Sequence, residues 1–109
     1  MFRQKEWIFK GQSGKDYNFI INKKSADFPK KGGLFILAYT HPRGHLAGFE
    51  SHALYIGRTD NLKRELASPS QQDCVTEECW NCTYILLAEE EKEQIAIIND
   101  LRQAISTPC

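Results

Sequence analysis

Apolar and polar residues follow one another along the chain in a pattern that predicts five strands. Glu6–Lys10 and Tyr17–Asn22 flank Gly11–Gly14, a segment with the composition of a hairpin turn. Three further runs are apolar, as in buried strands; they cover Leu34–Thr40, Leu54–Ile56 and Thr83–Ala88. Gly57 is expected to end the fourth strand. The segment His41–Ser51 is expected to form a loop, because it contains one proline and two glycines.

Two short segments after the fourth strand carry helix signals. Asp60 or Asn61 is suited to cap a helix that begins at Leu62, and Pro69 is expected to stop that helix. Residues 70–73 have the composition of the start of a second short helix, which runs towards Cys79 or Trp80. Both helices precede the fifth strand.

The C-terminal segment has the periodicity of an amphipathic helix from Glu89 onward. Its apolar stripe consists of Ile95, Ile98, Leu101 or Arg102, and Ile105. The element order β-β-β-β-α-α-β-α predicts an α+β fold, with a small and mainly antiparallel sheet, flanking helices and an N-terminal β-hairpin. We expect one domain over residues 1–109, with the hairpin and a connector in 1–31 and the core in 32–109.

Charge is balanced over the whole chain and unevenly distributed along it. The 14 basic and 14 acidic residues cancel, so no global field attracts nucleic acid. Residues 1–31 carry a net charge of about +5 and residues 69–109 about −6, counted from the sequence. This distribution is consistent with two solvated faces or with a patch that binds an oppositely charged partner. The zero net charge and the acidic C-terminal part favour a protein partner over DNA.

The chain contains no apolar run of the roughly 18 residues that span a membrane, and its first residues lack the features of a signal peptide. We therefore expect a cytoplasmic protein with no membrane partner. In that compartment cysteines are typically reduced thiols. Buried structural thiols are the favoured interpretation, and a zinc site is the alternative; the four residues concerned are Cys74, Cys79, Cys82 and Cys109.

Two tripeptides, GLF at Gly33–Phe35 and YIG at Tyr55–Gly57, stand in neighbouring predicted strands and precede a helix. This arrangement resembles the GIY-YIG nuclease domain. The likeness extends to EWIFKGQSGKDYNFIIN near the start and NDLRQAISTPC at the end, which resemble the hairpin and closing helix of one small bacterial branch of that family. The resemblance implies a GIY-YIG-like fold over nearly the whole chain.

The resemblance also implies where catalytic groups would stand. Family members use two tyrosines, an arginine and a metal-binding glutamate, and the corresponding positions here are Phe35, Tyr55, Glu65 and Ile98. Only the second tyrosine is kept, and the arginine is replaced by a residue of opposite charge. Loss of transition-state stabilisation on this scale predicts an inactive domain that needs no cofactor. We expect the four positions to converge on one concave surface.

Several side chains near that surface are candidates for binding. The basic group and its neighbours are His52, Tyr55, Arg58, Lys63 and Arg64, and the acidic group at the start of the last helix is Glu89, Glu90, Glu91 and Glu93. Metal or phosphate binding by the segment HPRGH, from His41 to His45, is weighed against a solvated loop, which is the favoured interpretation.

The leading hypothesis is a protein-binding module, in one version an inhibitor or immunity protein that blocks a toxin or nuclease. One alternative is an active endonuclease that uses Mg²⁺ or Mn²⁺ with displaced groups, namely Tyr55, Arg58, Arg64 and Asp100. Another is an accessory domain that binds nucleic acid through the basic N-terminal half.

Overall fold

The computed structural model describes residues 5–23, 26–42 and 48–109, which form five strands and three helices. The strands are β1 (Glu6–Lys10), β2 (Asp16–Lys23), β3 (Gly33–Pro42), β4 (Phe49–Thr59) and β5 (Cys82–Leu87). The helices are α1 (Leu62–Ala67), α2 (Gln72–Glu77) and α3 (Glu91–Ala104). The chain order matches the predicted order.

All five strands belong to one antiparallel sheet with the spatial order β1-β2-β5-β3-β4. The N-terminal hairpin pairs with β5, so β3 lies between β5 and β4. This architecture confirms the predicted α+β class, the antiparallel sheet and the adjacent N-terminal strand pair. Among the described residues, no helix is long and apolar enough to cross a membrane.

Strand β3 is covered on both faces of the sheet, and its alternate residues point to opposite sides. On one face Leu34 and Ile36 of β3 pack in a cluster that includes Ile97, Ile98 and Leu101 of α3. On the other face the intervening β3 residues pack against α1, α2 and Trp80; this cluster includes Phe35, Leu37, Leu62, Leu66 and Val75. We call these the α3 face and the α1 face.

Strands β3 and β4 are longer than the sequence predicts, so the loop expected over His41–Ser51 is wrong at both of its ends, where His41 and Pro42 belong to β3 and Phe49–Ser51 to β4. Their ladder continues to the pair Pro42↔Phe49. A buried side chain of β5 supports this pairing. The hydroxyl of Tyr84 lies 2.6 Å from Thr40 Oγ1 and 2.9 Å from Ser51 Oγ. His45 lies outside the described residues.

Gly57 does not end its strand, since β4 continues to Thr59. It lies opposite Phe35 in the ladder, and a Cβ at this position would meet the rings of Phe35 and Tyr55. The glycine therefore allows two aromatic rings to pack over the strand, and it does not act as a turn residue.

The short helices form as predicted. Asn61 caps α1 by accepting a hydrogen bond from the backbone N–H of Arg64 at 3.1 Å. The stripe predicted for α3 is partly wrong, because Ile95 is 39% exposed whereas Gln94 is 2% exposed. Helix α3 begins at Glu91, and Ile105 is its C-cap.

A clamp joins α3 to the N-terminal hairpin turn. The carboxylate of Asp100 accepts hydrogen bonds from the backbone N–H and hydroxyl of Ser13, at 2.8 and 2.7 Å, and from the hydroxyl of Tyr17 at 2.7 Å. A Cβ at Gly11 would meet that carboxylate, so glycine allows the turn to approach the helix closely. The clamp fixes the hairpin against α3, and the start of this helix lines the candidate functional site.

The expectation of four reduced cysteines is wrong, since Cys74 and Cys109 form a disulfide. Their Cα atoms are 5.9 Å apart, which is within the usual range for a disulfide. The separation of 35 residues along the sequence gives no indication of this proximity. Cys79 is an exposed free thiol, and Cys82 is buried. The four-cysteine zinc site is also wrong, because two thiols are bonded to each other and the other two differ in burial.

Candidate functional site

A cleft of about 460 Å³ lies at the end of the sheet, where β4 leads into α1 and the chain enters α3. Its lining consists of Arg58, Thr59, Asp60, Arg64, Glu65, Glu89, Glu91 and Gln94. Five of these residues are predicted site positions or binding candidates, and they come from three separate elements and one connection. We call this site the end cleft.

The guanidinium of Arg58 is directed across the end cleft towards α3. Arg58 pairs with Leu34 in the ladder and so lies on the α3 face. Its two terminal nitrogens donate long hydrogen bonds to Gln94 Oε1 at 3.5 Å and to Glu91 Oε1 at 3.4 Å. The cation is therefore already compensated by groups of the same chain.

Arg64 is compensated in the same way from its own helix. Its guanidinium forms an ion pair with Asp60 at 2.6 Å, across one turn at the start of α1. Both side chains are more than two-thirds exposed, so the pair adds little stability. Its consequence is electrostatic, because the carboxylate reduces the field that Arg64 presents to an anion.

Gln94 is the polar side chain of α3 that reaches the end cleft. It is buried, and its amide nitrogen donates to the carbonyl of Ala88 at 2.6 Å while its oxygen faces Arg58. A Cβ at Gly32 would lie 2.8 Å from that amide nitrogen, so a glycine is needed beside it. Both ends of the amide are therefore engaged in holding the start of α3 against the sheet.

The resemblance implies a divalent metal bound at position 98, and the residues present do not fit one. Ile98 is 5% exposed and packs in the cluster of the α3 face. A hard cation requires oxygen ligands, which an aliphatic side chain does not supply. Gln94, one turn earlier, has its amide oxygen turned towards a guanidinium, which repels a cation.

The expected convergence of four positions is half correct. Phe35 and Tyr55 lie on neighbouring strands with their ring centroids 6.0 Å apart, both on the α1 face. Ile98 lies on the opposite face, so its expected place beside Tyr55 is wrong. Ile98 is on the buried stripe of α3, but α3 packs on the face of the sheet opposite to Tyr55, which the periodicity of the helix does not indicate. Glu65 lines the end cleft and not the surface around the two rings.

The remaining candidates are scattered. Tyr55 lines a separate pocket with Arg102, whose guanidinium donates to the carbonyl of Ile56 at 2.8 Å. Lys63 forms a 3.9 Å ion pair with Asp27 outside the end cleft. Two acidic candidates do not line the end cleft either; these are Glu90, the N-cap of α3, and Glu93, which is exposed in its first turn.

The displaced catalytic set of the nuclease alternative does not form. Arg58 and Arg64 share the end cleft, whereas Tyr55 lines another pocket. Asp100 is held by Ser13 and Tyr17 of the hairpin, and these hydrogen bonds lower the pKa of its carboxyl below the ordinary value. Asp100 is therefore a structural anchor of the hairpin.

A second cluster lies at the other end of the β3–β4 ladder; His41 and His52 were weighed separately from the sequence, but their proximity and the part of Glu50 were missed. His41, Glu50 and His52 bring three potential ligand atoms within 4.8 Å of one another. The sequence places all three in or beside an expected loop, although His41 and Glu50 are in fact paired strand residues. The sequence does contain a signal for this arrangement. Polar side chains are placed symmetrically about a segment that contains proline and glycine, and this pattern is also typical of a long hairpin.

Comparison of the chain with family models, curated proteins and solved structures found no match.

Proposed function

We propose that this protein is a non-enzymatic binding module whose end cleft binds a basic surface of a partner protein. The single observation that carries the proposal is the composition of the cleft, in which two guanidinium groups stand among four carboxylates. Both cations are paired within the chain, Arg58 with Glu91 and Arg64 with Asp60. The formal charge of the lining is about −2 when the ionised side chains are counted.

This charge favours one class of partner over another. Nucleic acid presents closely spaced phosphates, and binding it requires uncompensated Lys and Arg side chains. Glu65, which stands where the resembled family has an arginine, adds a negative charge where a phosphate would need a positive one. A protein surface rich in Lys and Arg meets complementary charges in the same cleft, which accelerates and orients association.

Enzymes that act on nucleic acids carry such basic surfaces, so a nuclease or toxin of that kind is the partner class we propose. Binding of the end cleft to the basic residues of the partner's substrate-binding surface would exclude the substrate. The protein would then act as an inhibitor or immunity protein, without chemistry of its own. The resemblance to a nuclease domain with replaced catalytic positions is consistent with retention of the scaffold for binding.

Site-specific crosslinking tests the proposal in cells of the source organism. A photo-reactive amino acid at position 65, in the end cleft, is compared with the same group at Glu77, an exposed position of α2. We expect one basic protein to be captured from position 65 and not from position 77. Capture of nucleic acid alone, or of the same proteins from both positions, would overturn the proposal.

Charge reversal then tests the mechanism with the purified partner. We expect Glu65→Lys and Glu91→Lys each to weaken binding about tenfold or more, with a smaller effect at high salt. Glu77→Lys makes the same charge change away from the end cleft and is expected to leave affinity unchanged. Equal losses for all three variants would mean that net charge and not the cleft determines binding.

A nuclease assay addresses the enzymatic alternative. We expect plasmid and branched DNA to stay intact with the purified protein in Mg²⁺ or Mn²⁺. Metal-dependent cleavage that disappears in Tyr55→Phe would contradict the non-enzymatic assignment.

A further inference from the structure

The polar cluster at the far end of the β3–β4 ladder is built on paired strands. His41 lies opposite Glu50 and His52 lies opposite Tyr39, so all four side chains belong to one face of the sheet. A bulge between Leu37 and Ala38 changes the alternation of β4 on the way to His52. Without it, alternation counted from Tyr55 would put His52 on the opposite face.

The distances between the potential ligand atoms match those around a transition-metal ion. His41 Nε2 lies 3.2 Å from His52 Nε2 and 3.7 Å from Glu50 Oε2. Two imidazole nitrogens bound to a tetrahedral zinc ion at about 2.0–2.1 Å are about 3.3–3.4 Å apart. Only a small adjustment of the exposed Glu50 side chain is needed to complete three ligands.

The tautomer of His41 is suited to ligation. Its Nδ1 lies 2.9 Å from the carbonyl oxygen of Pro42, which can only accept a hydrogen bond, so Nδ1 carries the proton. In the neutral ring Nε2 then accepts a hydrogen bond from the Nε2–H of His52. A metal ion takes the place of that proton, which moves to Nδ1 of His52 or to solvent. Metal-binding histidines commonly donate their second N–H to a carbonyl in this way, which orients the ring.

Ring stacking holds the ligands in place before any ion binds. The rings of His41 and His52 are nearly parallel, with centroids 5.3 Å apart, and Tyr39 stacks on His41 at 5.2 Å. The backbone of both histidines is fixed by ladder hydrogen bonds. Binding therefore requires little loss of conformational entropy, in contrast to a site assembled from a free loop.

We propose that His41, His52 and Glu50 form a binding site for a divalent transition metal, with zinc the best match. Two imidazoles select zinc-like ions over Mg²⁺ and Ca²⁺, which prefer oxygen. Three protein ligands leave at least one coordination position open, as in exchangeable or catalytic sites. A cavity beside His52, with Glu78 and Ser106 in its wall, gives a water or a small anionic ligand access to that position.

This site is separate from the end cleft, and the inference does not depend on the proposed function. Zinc titration by calorimetry tests it in a Cys79→Ser background, because the exposed Cys79 thiol can bind zinc by itself. The variants are His41→Ala, His52→Ala and Glu50→Gln. Glu78→Gln is the matched control, since Glu78 lines the same cavity as His52 and is not among the three clustered ligands.

We expect one zinc ion per chain, an affinity loss of about 100-fold or more for each histidine variant and about tenfold for Glu50→Gln. Glu78→Gln is expected to bind like the parent. Because a variant can also lose structure, the ring nitrogen signals of unaltered protein are followed by NMR, where the Nε2 signals of His41 and His52 should move together on addition of zinc. No zinc binding, or binding that neither histidine variant weakens, would overturn the assignment.

Discussion

The two ends of the β3–β4 ladder differ in how their polar groups are used. At the end cleft, Arg58 and Arg64 are paired with carboxylates of the same chain. At the other end, His41 and His52 direct ring nitrogens at each other, and a carbonyl fixes the tautomer of His41. At the end that contains Glu65 the cations are therefore already paired, whereas the end expected to be a loop has ligand atoms arranged for an ion.

The largest effect is expected for the disulfide, which holds the C-terminal segment beside the histidine end of the ladder. The backbone N–H of Cys109 donates to the carbonyl of Leu54 in β4, and Pro108 lines the cavity beside His52. Closing a loop of this length stabilises a fold by about 3–4 kcal/mol in the chain-entropy model. We expect Cys109→Ser to lower the free energy of unfolding by about that amount, measured by urea denaturation.

Cys79→Ser is the matched control for the disulfide, because it removes an exposed free thiol. We expect it to change the free energy of unfolding by less than about 0.5 kcal/mol. Equal stability of the two variants would mean that the bond between Cys74 and Cys109 does not hold the C-terminal segment in place.

A smaller effect is expected at the end cleft, where Gln94 joins α3 to the sheet. Gln94→Ala removes the buried donor to the carbonyl of Ala88 and one partner of Arg58. We expect a loss of about 2 kcal/mol, since a buried carbonyl is left without its hydrogen bond. Gln103→Ala, at an exposed position of the same helix, is expected to be nearly neutral. Comparable losses in both would show that helix propensity and not the buried amide is responsible.

The smallest effect is expected in the pH dependence of stability that comes from the clamp between α3 and the hairpin turn. Hydrogen bonds from Ser13 and Tyr17 lower the pKa of Asp100, so its contribution is present above about pH 4 and is lost as pH falls through the folded-state value. Burial, followed by the contact with Asp100, raises the pKa of Tyr17 to about 12. Its contribution is present below about pH 10 and is lost as pH rises towards 12.

Melting temperature measured against pH tests the clamp. The difference between the unaltered protein and Asp100→Asn should shrink below about pH 4, and the difference from Tyr17→Phe should shrink above about pH 10. Differences that stay constant over both ranges would contradict the assigned charge states.

Local sequence signals were sufficient for most of the fold. The apolar run at Leu34–Thr40, the Asn61 cap and the Gly11–Gly14 turn each depend on interactions over a few residues, and the corresponding strand, helix and hairpin formed. The extension of β3 and β4 was missed because its support comes from Tyr84, more than 30 residues away along the chain from Ser51. Local propensity does not include such partners.

The sites were harder to predict because they depend on which residues face each other. Arg58 and Glu91 were identified as candidates, but their pairing depends on the packing of α3 against the sheet. Arg64 pairs with Asp60 across one turn, which is a local contact. Ile98 is buried as its place on the apolar stripe predicts, but it was misplaced relative to Tyr55 because periodicity does not show against which face of the sheet a helix packs. The histidine cluster needed both the longer ladder and the bulge, neither of which leaves a distinct local signal.

One measurement tests the difference between the two ends most directly: a zinc titration of the Cys79→Ser protein followed residue by residue by NMR. We expect the first equivalent of zinc to shift the signals of His41, Glu50 and His52. We expect no comparable shifts at Glu65 and Glu91 of the end cleft. Zinc-induced shifts that begin at the carboxylates of the end cleft and leave both histidines unchanged would contradict this expectation.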